Sequence, residues 1–307
     1  MRVGVVGVGH LGQHHARIFD SMDGVTLVGV ADTNRVRAEE VSAKYRTAVF
    51  VDALALLEQV DAVSVAVPTV SHLEVAMPFL ERRKAVLIEK PMAASVEEAD
   101  RMIACAEQHG ALLAVGHTER FNPAVAAARP LVSSPRFVEV HRLGAFPERS
   151  LDIDVIFDLM IHDLDLLLAL VRSEVVAVEA VGVNVLTPRT DIANARIRFA
   201  SGCIANLTAS RISRDRVRKI RFFQHDAYIS IDYAAQELEV YRLGPTNGGR
   251  PAIQGGRMEI ANEEPLRREL ADFVAAVRDR RPPAVTGVEG RAALALATRI
   301  AELIQTS

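Results

Sequence analysis

A two-domain α/β architecture is predicted: a doubly wound parallel sheet first, then an α+β domain around a large, mostly antiparallel sheet. Three observations carry that prediction. Over the first 116 residues, continuous apolar runs alternate with helical stretches, the pattern of strands covered on both faces by crossover helices. Residues 2–12, RVGVVGVGHLG, run a buried strand straight into Gly7, Gly9 and Gly12, spaced to open a helix. From 175 to 243 strands follow one another, and alternation such as Arg196-Ile197-Arg198-Phe199 and Ile229-Ser230-Ile231 marks a sheet with one buried face. A chain of 307 residues is long for one core and suits two domains, here 1–118 and 119–307, the C-terminal helix being a candidate to pack back on the first.

The elements follow in order. VGVVGV (3–8) is a strand, 11–22 a helix with Ala16 and Phe19 turned inward, and VTLVGVAD a second strand. A charged helix near 34–45, a short strand at 48–51 and a helix at 52–59 lead to VDAVSVAVP (60–68), which Pro68 ends. A helix at 70–83, the strand AVLIE (85–89), a helix at 95–109 and the strand ALLAVG (111–116) complete the first domain. Beyond His117 the pattern changes: a helix at about 122–133, a strand near 136–143, a loop at 144–154 and a strong helix over 155–171. The runs VVAVEAVGVNVLT, NARIRFA, CIANLTASRI, VRKIRFFQ, AYISIDY and ELEVYRL are strands, with Ser201-Gly202 and His225-Asp226 as hairpin turns. The Gly/Pro-rich stretch 244–257 reads as an exposed loop, and helices at 264–280 and 289–305 flank Pro282-Pro283.

Composition narrows the function class. Lys and Arg number 36 against 39 Asp and Glu, a net charge of −3, and the basic residues are scattered, which argues against a nucleic-acid surface. Cys105 and Cys203 are far apart with no metal-ligand spacing, so both are expected as reduced thiols of a cytoplasmic protein. The first strand begins at Arg2, leaving no room for a secretory signal, and no apolar run approaches the roughly 20 residues that cross a bilayer. No metal is implied.

Each part of the opening motif has its own task in holding a dinucleotide. Gly7 permits the tight turn, Gly9 lets the backbone approach a pyrophosphate, and Gly12 brings the helix close to the sheet, with that helix's free N–H groups facing the phosphates. Asp32, 20 positions beyond Gly12 at the end of the second strand, would accept hydrogen bonds from ribose hydroxyls. The first domain is thus a Rossmann domain and NAD the expected cofactor. NADP is open, because Arg35 and Arg37 could accommodate a 2′-phosphate if Asp32 turned away.

Two constellations could do chemistry. Lys90, in Glu89-Lys90-Pro91, follows the strand AVLI at its carboxyl end, where functional residues of open parallel sheets gather. Its ammonium could stabilise charge on a substrate oxygen as an alcohol loses its proton. A plain surface lysine fits the spacing equally well. Asp158 and His162 stand at i, i+4 on the 155–171 helix, so the carboxylate could orient the imidazole and raise its basicity. Asp165 shares that face, while Asp163 points elsewhere. The alternative is a polar helix face turned to solvent, against which the surrounding Leu, Ile and Met weigh.

Other histidines say less. His10 sits where a side chain could lie over a cofactor; His14 and His15 are expected as exposed or helix-packing residues. His72 and His117 follow strand ends, and a cofactor role and a structural one are equally open. No Ser–His–Asp elbow, zinc motif or phosphate-binding lysine loop is present.

The chain resembles the glucose–fructose oxidoreductase, inositol dehydrogenase and MocA (Gfo/Idh/MocA) family over essentially its whole length. GVGHLG at 7–12, AVPTVSH at 66–72, EKP at 89–91, GHTERFNPA at 116–124 and DLMIHDLD at 158–165 occur in the family's order. The resemblance implies that Lys90 polarises the substrate oxygen, that His162 exchanges the hydroxyl proton with Asp158 as its orienting partner, and that the Lys90–Pro91 bond is cis. On the cofactor side, beyond the glycines, it places His10, Leu11, Asp32, Thr33 and Arg35. Val67, Pro68, Thr69, His72, Glu89, His117 and Arg120 complete that side. Asn122, Arg149, Asp154 and Arg211 join Lys90, Asp158 and His162 as candidate substrate contacts. The implied activity is hydride transfer between NAD(P) and a secondary hydroxyl of a sugar or sugar nucleotide, in a homodimer or homotetramer formed through the second sheet. Likeness of the runs 139–170 and 191–211 to a bacterial subgroup implies the 3-hydroxyl of UDP-N-acetylglucosamine as target. Another polyol, such as inositol, is the alternative substrate. A non-catalytic dinucleotide sensor is the alternative class, which NAD reduction by any sugar would exclude.

Overall fold

The computed structural model of the chain describes residues 1–146, 153–245 and 252–306. By compactness the chain divides into two units, Met1–Thr118 with Glu264–Leu294, and Glu119–Glu263 with the chain from Ala295 on. Residues 264–294, assigned from sequence to the second domain, therefore group with the first. Their helix Pro265–Asp279 shows why: Leu270, Phe273 and Val274 are buried in one cluster with Val3, Phe19 and Leu27. The last helix, Gly287–Gln305, contributes residues to both units.

The first unit holds six strands: β1 (Arg2–Val6), β2 (Thr26–Ala31), β3 (Ala48–Phe50), β4 (Ala62–Val65), β5 (Ala85–Glu89) and β6 (Leu113–Gly116). They lie in the order β3-β2-β1-β4-β5-β6, and every pairing is parallel. The order reverses between β1 and β4, the switch point at whose carboxyl end such sheets bind ligands. Helices α1 (Gly12–Asp20), α2 (Arg35–Tyr45), α3 (His72–Glu81) and α4 (Val96–His109) connect them. Caps set the helix ends: Asn34 accepts from Arg37 N–H at 3.2 Å, and Ser95 accepts from Glu98 N–H at 3.2 Å. Gly110, at φ 65°, closes α4. Phe19 on α1 and Phe79 on α3 are fully buried, each contributing about 1.5–3 kcal/mol.

Segment 52–59, expected as a helix, forms only a 3₁₀ turn at Ala53–Leu56. Asp52 caps it by accepting from Leu54 N–H at 2.9 Å, and the chain then turns directly into β4.

The second unit is built on an eight-stranded sheet of β7 (Phe137–Leu143), β8 (Val175–Val183), β9 (Ile192–Phe199), β10 (Ile204–Ser210), β11 (Val217–Phe223), β12 (Ala227–Asp232), β13 (Glu237–Leu243) and β14 (Ile253–Met258). Their order is β14-β13-β12-β11-β7-β10-β9-β8. Among the described pairings of this sheet only β7 with β10 is parallel. Alternation on β9 buries Ala193, Ala195, Ile197 and Phe199 while Asn194, Arg196 and Arg198 face out. Both expected hairpin turns are present, with Gly202 at φ 82°. Helices α5 (Pro123–Ala128), lying against β12 and β13, and α6 (Ile161–Val171) belong to this unit.

The stretch 244–257, expected as loop, contains most of β14. Its glycines are what allow the pairing: a Cβ at Gly255 would lie 1.9 Å from Val240 O. Among the described residues no helix is long and apolar enough to cross a membrane. Cys105 and Cys203 are buried free thiols.

Arg211, expected as a substrate contact, instead locks the turn between β8 and β9. Asp191 is fully buried and accepts from the N–H groups of Val185, Leu186 and Thr187 at 2.8, 2.6 and 2.9 Å. Arg211, 2% exposed, donates to Asp191 Oδ1 at 2.8 Å, to Ile153 O at 2.6 Å and to Thr187 Oγ1 at 2.9 Å. Burial opposes the Asp191 charge, but the Leu186 and Thr187 N–H groups, the Thr187 hydroxyl and Arg211 outweigh it and hold the carboxyl well below its usual range. A depressed folded pKa contributes stability above the unfolded value of about 3.9 and loses it as pH falls through the folded value. Asp191→Asn should therefore cost about 3–5 kcal/mol near neutral pH by leaving Arg211 buried and unpaired. Thermal unfolding followed against pH should show the parent losing stability below about pH 4 more steeply than the variant.

Candidate active site

The glycine loop leaves β1 at the switch point of the first unit. Gly7 has φ 82°, and a Cβ there would lie 2.6 Å from Ala66 O; a Cβ at Gly12 would lie 1.8 Å from Gly7 O. At Gly9 the nearest atom to a Cβ is Arg37 Nη1, at 3.6 Å, so backbone there is open to approach. Leu11 offers no side-chain acceptor to the first N–H groups of α1. This cradle fits a pyrophosphate: two positions admit no side chain, the third is accessible, and a helix N-terminus stands behind them.

Asp32 ties the loop to β2. Its Oδ2 accepts from Val8 N–H at 2.8 Å, its Oδ1 from Asn34 N–H at 2.8 Å, and Arg37 Nη1 lies 3.7 Å from Oδ2. Thr33 is exposed beside it. Arg35, an expected cofactor contact, pairs along α2 with Glu39 at 2.7 Å, so Arg37 is the arginine beside the Asp32 carboxylate.

After β4, Val67 and Thr69 are half-buried and Pro68 is exposed. His72 is 1% exposed, with Nε2 3.0 Å from Val67 O and Nδ1 3.3 Å from Met92 O. It joins the loops after β4 and β5 instead of presenting its nitrogens to a ligand, and burial lowers its pKa. His10 is exposed and stacks edge-on with His14, their centroids 5.9 Å apart, whereas His117 is buried.

At the end of β5, Lys90 is half-buried and the Lys90–Pro91 bond is cis. Glu89 is 6% exposed, its Oε2 accepts from Lys90 N–H at 3.2 Å, and its Oε1 lies 3.1 Å from His15 Nε2. His15 Nδ1 is 2.6 Å from Ser64 Oγ. Burial works against the Glu89 charge, but His15 and the Lys90 charge outweigh it and lower its pKa. His15 and Ser64 are the polar residues the sequence reading missed. The G-x-x-H spacing from Gly12 to His15 was visible, but nothing in the sequence linked it to Glu89.

In the second unit, Ile156–Met160 form a π turn that passes into α6, where a single α-helix was expected. Asp158 lies in this turn and His162 just beyond it, both half-buried. The wider turn replaces the expected i, i+4 step between them. Asp165, expected on their face, is buried in a bidentate pair with Arg120 at 2.6 and 2.8 Å. This engages the guanidinium expected to face the cofactor. Asp163 pairs with Arg142 at 2.7 and 3.0 Å, and Glu119 adds a contact at 3.1 Å.

Asn122, expected as a substrate contact, is 2% exposed, caps α5 by accepting from Ala124 N–H at 3.1 Å and donates to Tyr233 O at 3.0 Å, so its amide is engaged within the second unit. Asp154 Oδ1 accepts from Thr190 N–H at 2.8 Å. Arg149 lies outside the described residues.

Residues 1–117 match the family profile described as an oxidoreductase family with an NAD-binding Rossmann fold, and 135–230 match the GFO/IDH/MocA C-terminal domain. A UDP-N-acetylglucosamine 3-dehydrogenase of Acidithiobacillus ferrooxidans is 42% identical, over 98% of this chain and 96% of that protein. Its crystal form P21 superposes with a TM-score of 0.93 at 41% identity, covering 100% of this chain and 98% of the other. A myo-inositol 2-dehydrogenase of Thermotoga maritima is 28% identical, over 96% of this chain and 94% of that protein.

Asp32→Ser removes the carboxylate beside Arg37 and leaves the guanidinium to meet a 2′-phosphate. The ratio of NADH to NADPH affinity, measured by fluorescence titration, should move towards NADPH by about tenfold or more, since one favourable charge contact replaces a repulsive one.

Proposed function

The chain belongs to the Gfo/Idh/MocA oxidoreductase family, and on that premise we propose that it oxidises the 3-hydroxyl of UDP-N-acetylglucosamine with NAD. It is an NAD-binding enzyme of the dehydrogenase class that acts on CH–OH groups. The observation that carries the finer reading is the 42% identity to the A. ferrooxidans enzyme, sustained over 98% of the chain. Inositol is the second reading, favoured by the 28% identity to the Thermotoga enzyme over 96% of the chain.

The loop through Gly7, Gly9 and Gly12 would hold the pyrophosphate and Asp32 the ribose. Bound NAD supplies the acceptor for a hydride from the carbinol carbon. In this reading the Lys90 ammonium binds the substrate oxygen and stabilises charge on it as the O–H bond breaks. His162 takes the hydroxyl proton, and Asp158 keeps its imidazole oriented and basic. Lys90→Ala and His162→Ala should each lower kcat by about 10²–10⁴, the usual worth of such groups, with the Kd for NADH changed less than threefold. NADH formation with UDP-N-acetylglucosamine, other UDP-sugars and myo-inositol tests the substrate; turnover of inositol alone would overturn the nucleotide-sugar reading.

A cytoplasmic homo-oligomer is part of this proposal. Two free thiols suit a reducing compartment. On the side of the second sheet opposite buried Val138, Phe222, Ile229 and Val240, the rings of Phe137, Phe223, Tyr228 and Tyr241 form a row with centroids 5.5, 5.3 and 6.1 Å apart. Phe223 and Tyr241 are 37% and 38% exposed. Such a row suits burial against a second copy. Phe223→Glu should shift the particle to monomer mass by light scattering while leaving the circular dichroism unchanged.

A further inference from the structure

We propose that His15 is a positioning residue for Lys90: its ring couples Ser64 on β4 to the Glu89 carboxylate that holds the Lys90 main chain. The proposal rests on the role given to Lys90 above. Three polar side chains, His15 on α1, Ser64 on β4 and Glu89 on β5, are 0%, 0% and 6% exposed beside strands whose Val63, Val65, Ile88 and Val115 are buried and apolar. Burying such a group costs free energy unless it is well partnered, and apolar replacements would fill the same space without that cost. The described contacts form a chain that ends at Lys90. It runs from Ser64 Oγ to His15 Nδ1 at 2.6 Å, from His15 Nε2 to Glu89 Oε1 at 3.1 Å, and from Glu89 Oε2 to Lys90 N–H at 3.2 Å.

The backbone is shaped around this carboxylate. A Cβ at Gly116 would lie 3.2 Å from Glu89 Cδ and from both of its oxygens, so a side chain there would crowd the carboxylate. An ionised Glu89 can only accept, so a proton on His15 Nε2, 3.1 Å away, would face it and would leave Nδ1 to accept from the Ser64 hydroxyl. With both oxygens engaged, the carboxylate cannot swing away from the lysine main chain. A displacement of about 1 Å at a reacting group can cost about 10²-fold in rate, so such a tether is worth its burial.

The test uses the full chain with NAD and UDP-N-acetylglucosamine, measuring kcat, KM and the Kd for NADH. His15→Leu should lower kcat about tenfold or more while the sugar-nucleotide KM and the NADH Kd stay within about threefold. His15→Gln, whose amide N–H can face Glu89, should recover kcat to within about threefold of the parent. Glu89→Gln should lower kcat comparably, and adding His15→Leu to it should cost less than about twofold more, because the two residues act through one contact. Retention of kcat in His15→Leu, full additivity in the double variant, or a matching loss of NADH affinity would each overturn the proposal. Should His15→Leu fail to fold, Ser64→Ala decides instead: unchanged kcat overturns the relay, and a several-fold loss at constant NADH affinity upholds it. Lys90→Ala run alongside separates the two claims. Full turnover in that variant defeats the lysine's role itself, whereas a dead Lys90→Ala beside a fully active His15→Leu defeats only the relay.

Discussion

The first unit depends on how closely the chain passes itself at residue 12, where a Cβ would stand 1.8 Å from Gly7 O. That passage brings α1 onto the sheet and leaves its amino end behind the loop. A glycine in a helix costs about 1 kcal/mol relative to alanine, so the crossing is retained for what it positions. Asp32 extends the constraint by gripping Val8 N–H from the end of β2, so the loop's shape depends on the carboxylate proposed to meet the ribose. The same unit holds Glu89 against Gly116, so close backbone approach recurs on the β5 side of the sheet.

Polar residues of the second unit divide by what they touch. Asp163, Asp165 and Asp191 are buried, and each meets an arginine. Pairs of this kind add little net stability over apolar packing, but breaking one leaves a charge stranded, so they specify a single arrangement. Burial pushes the Asp163 carboxyl up, while Asp163 and Glu119 outweigh the effect of burial on Arg142 and raise its pKa. Unlike these buried acids, Asp158 and His162 are half-buried. A π turn sets their spacing, a feature frequent where helices carry function.

Much of the architecture was legible because burial on two faces and burial on one leave different periodicities in the chain. Continuous runs such as AVLIE marked the parallel strands, and alternation in NARIRFA marked the antiparallel ones. The misses have physical causes. Segment 52–59 has helix-forming composition but too little length before β4, so a capped 3₁₀ turn prevails. Gly255 signals a loop and an edge strand pressed against its neighbour equally well. The site residues divide in the same way. Local spacing pointed to the glycines and Asp32 and left Lys90 open between a site and a surface role, whereas Arg120 with Asp165, Arg211 with Asp191 and His15 with Glu89 are partnerships between distant positions. No periodicity records them.

The grouping of residues 264–294 with the first unit has a consequence for how the protein is made. Leu270, Phe273 and Val274 cover Val3, Phe19 and Leu27, yet they leave the ribosome some 250 residues after the strand they protect. During synthesis that apolar surface stays uncovered until the chain has emerged past residue 274, so the amino-terminal part cannot finish folding first, as most leading domains do. For that interval nascent chains would be substrates for chaperones, and truncation anywhere before residue 264 would leave the dinucleotide fold without part of its cover.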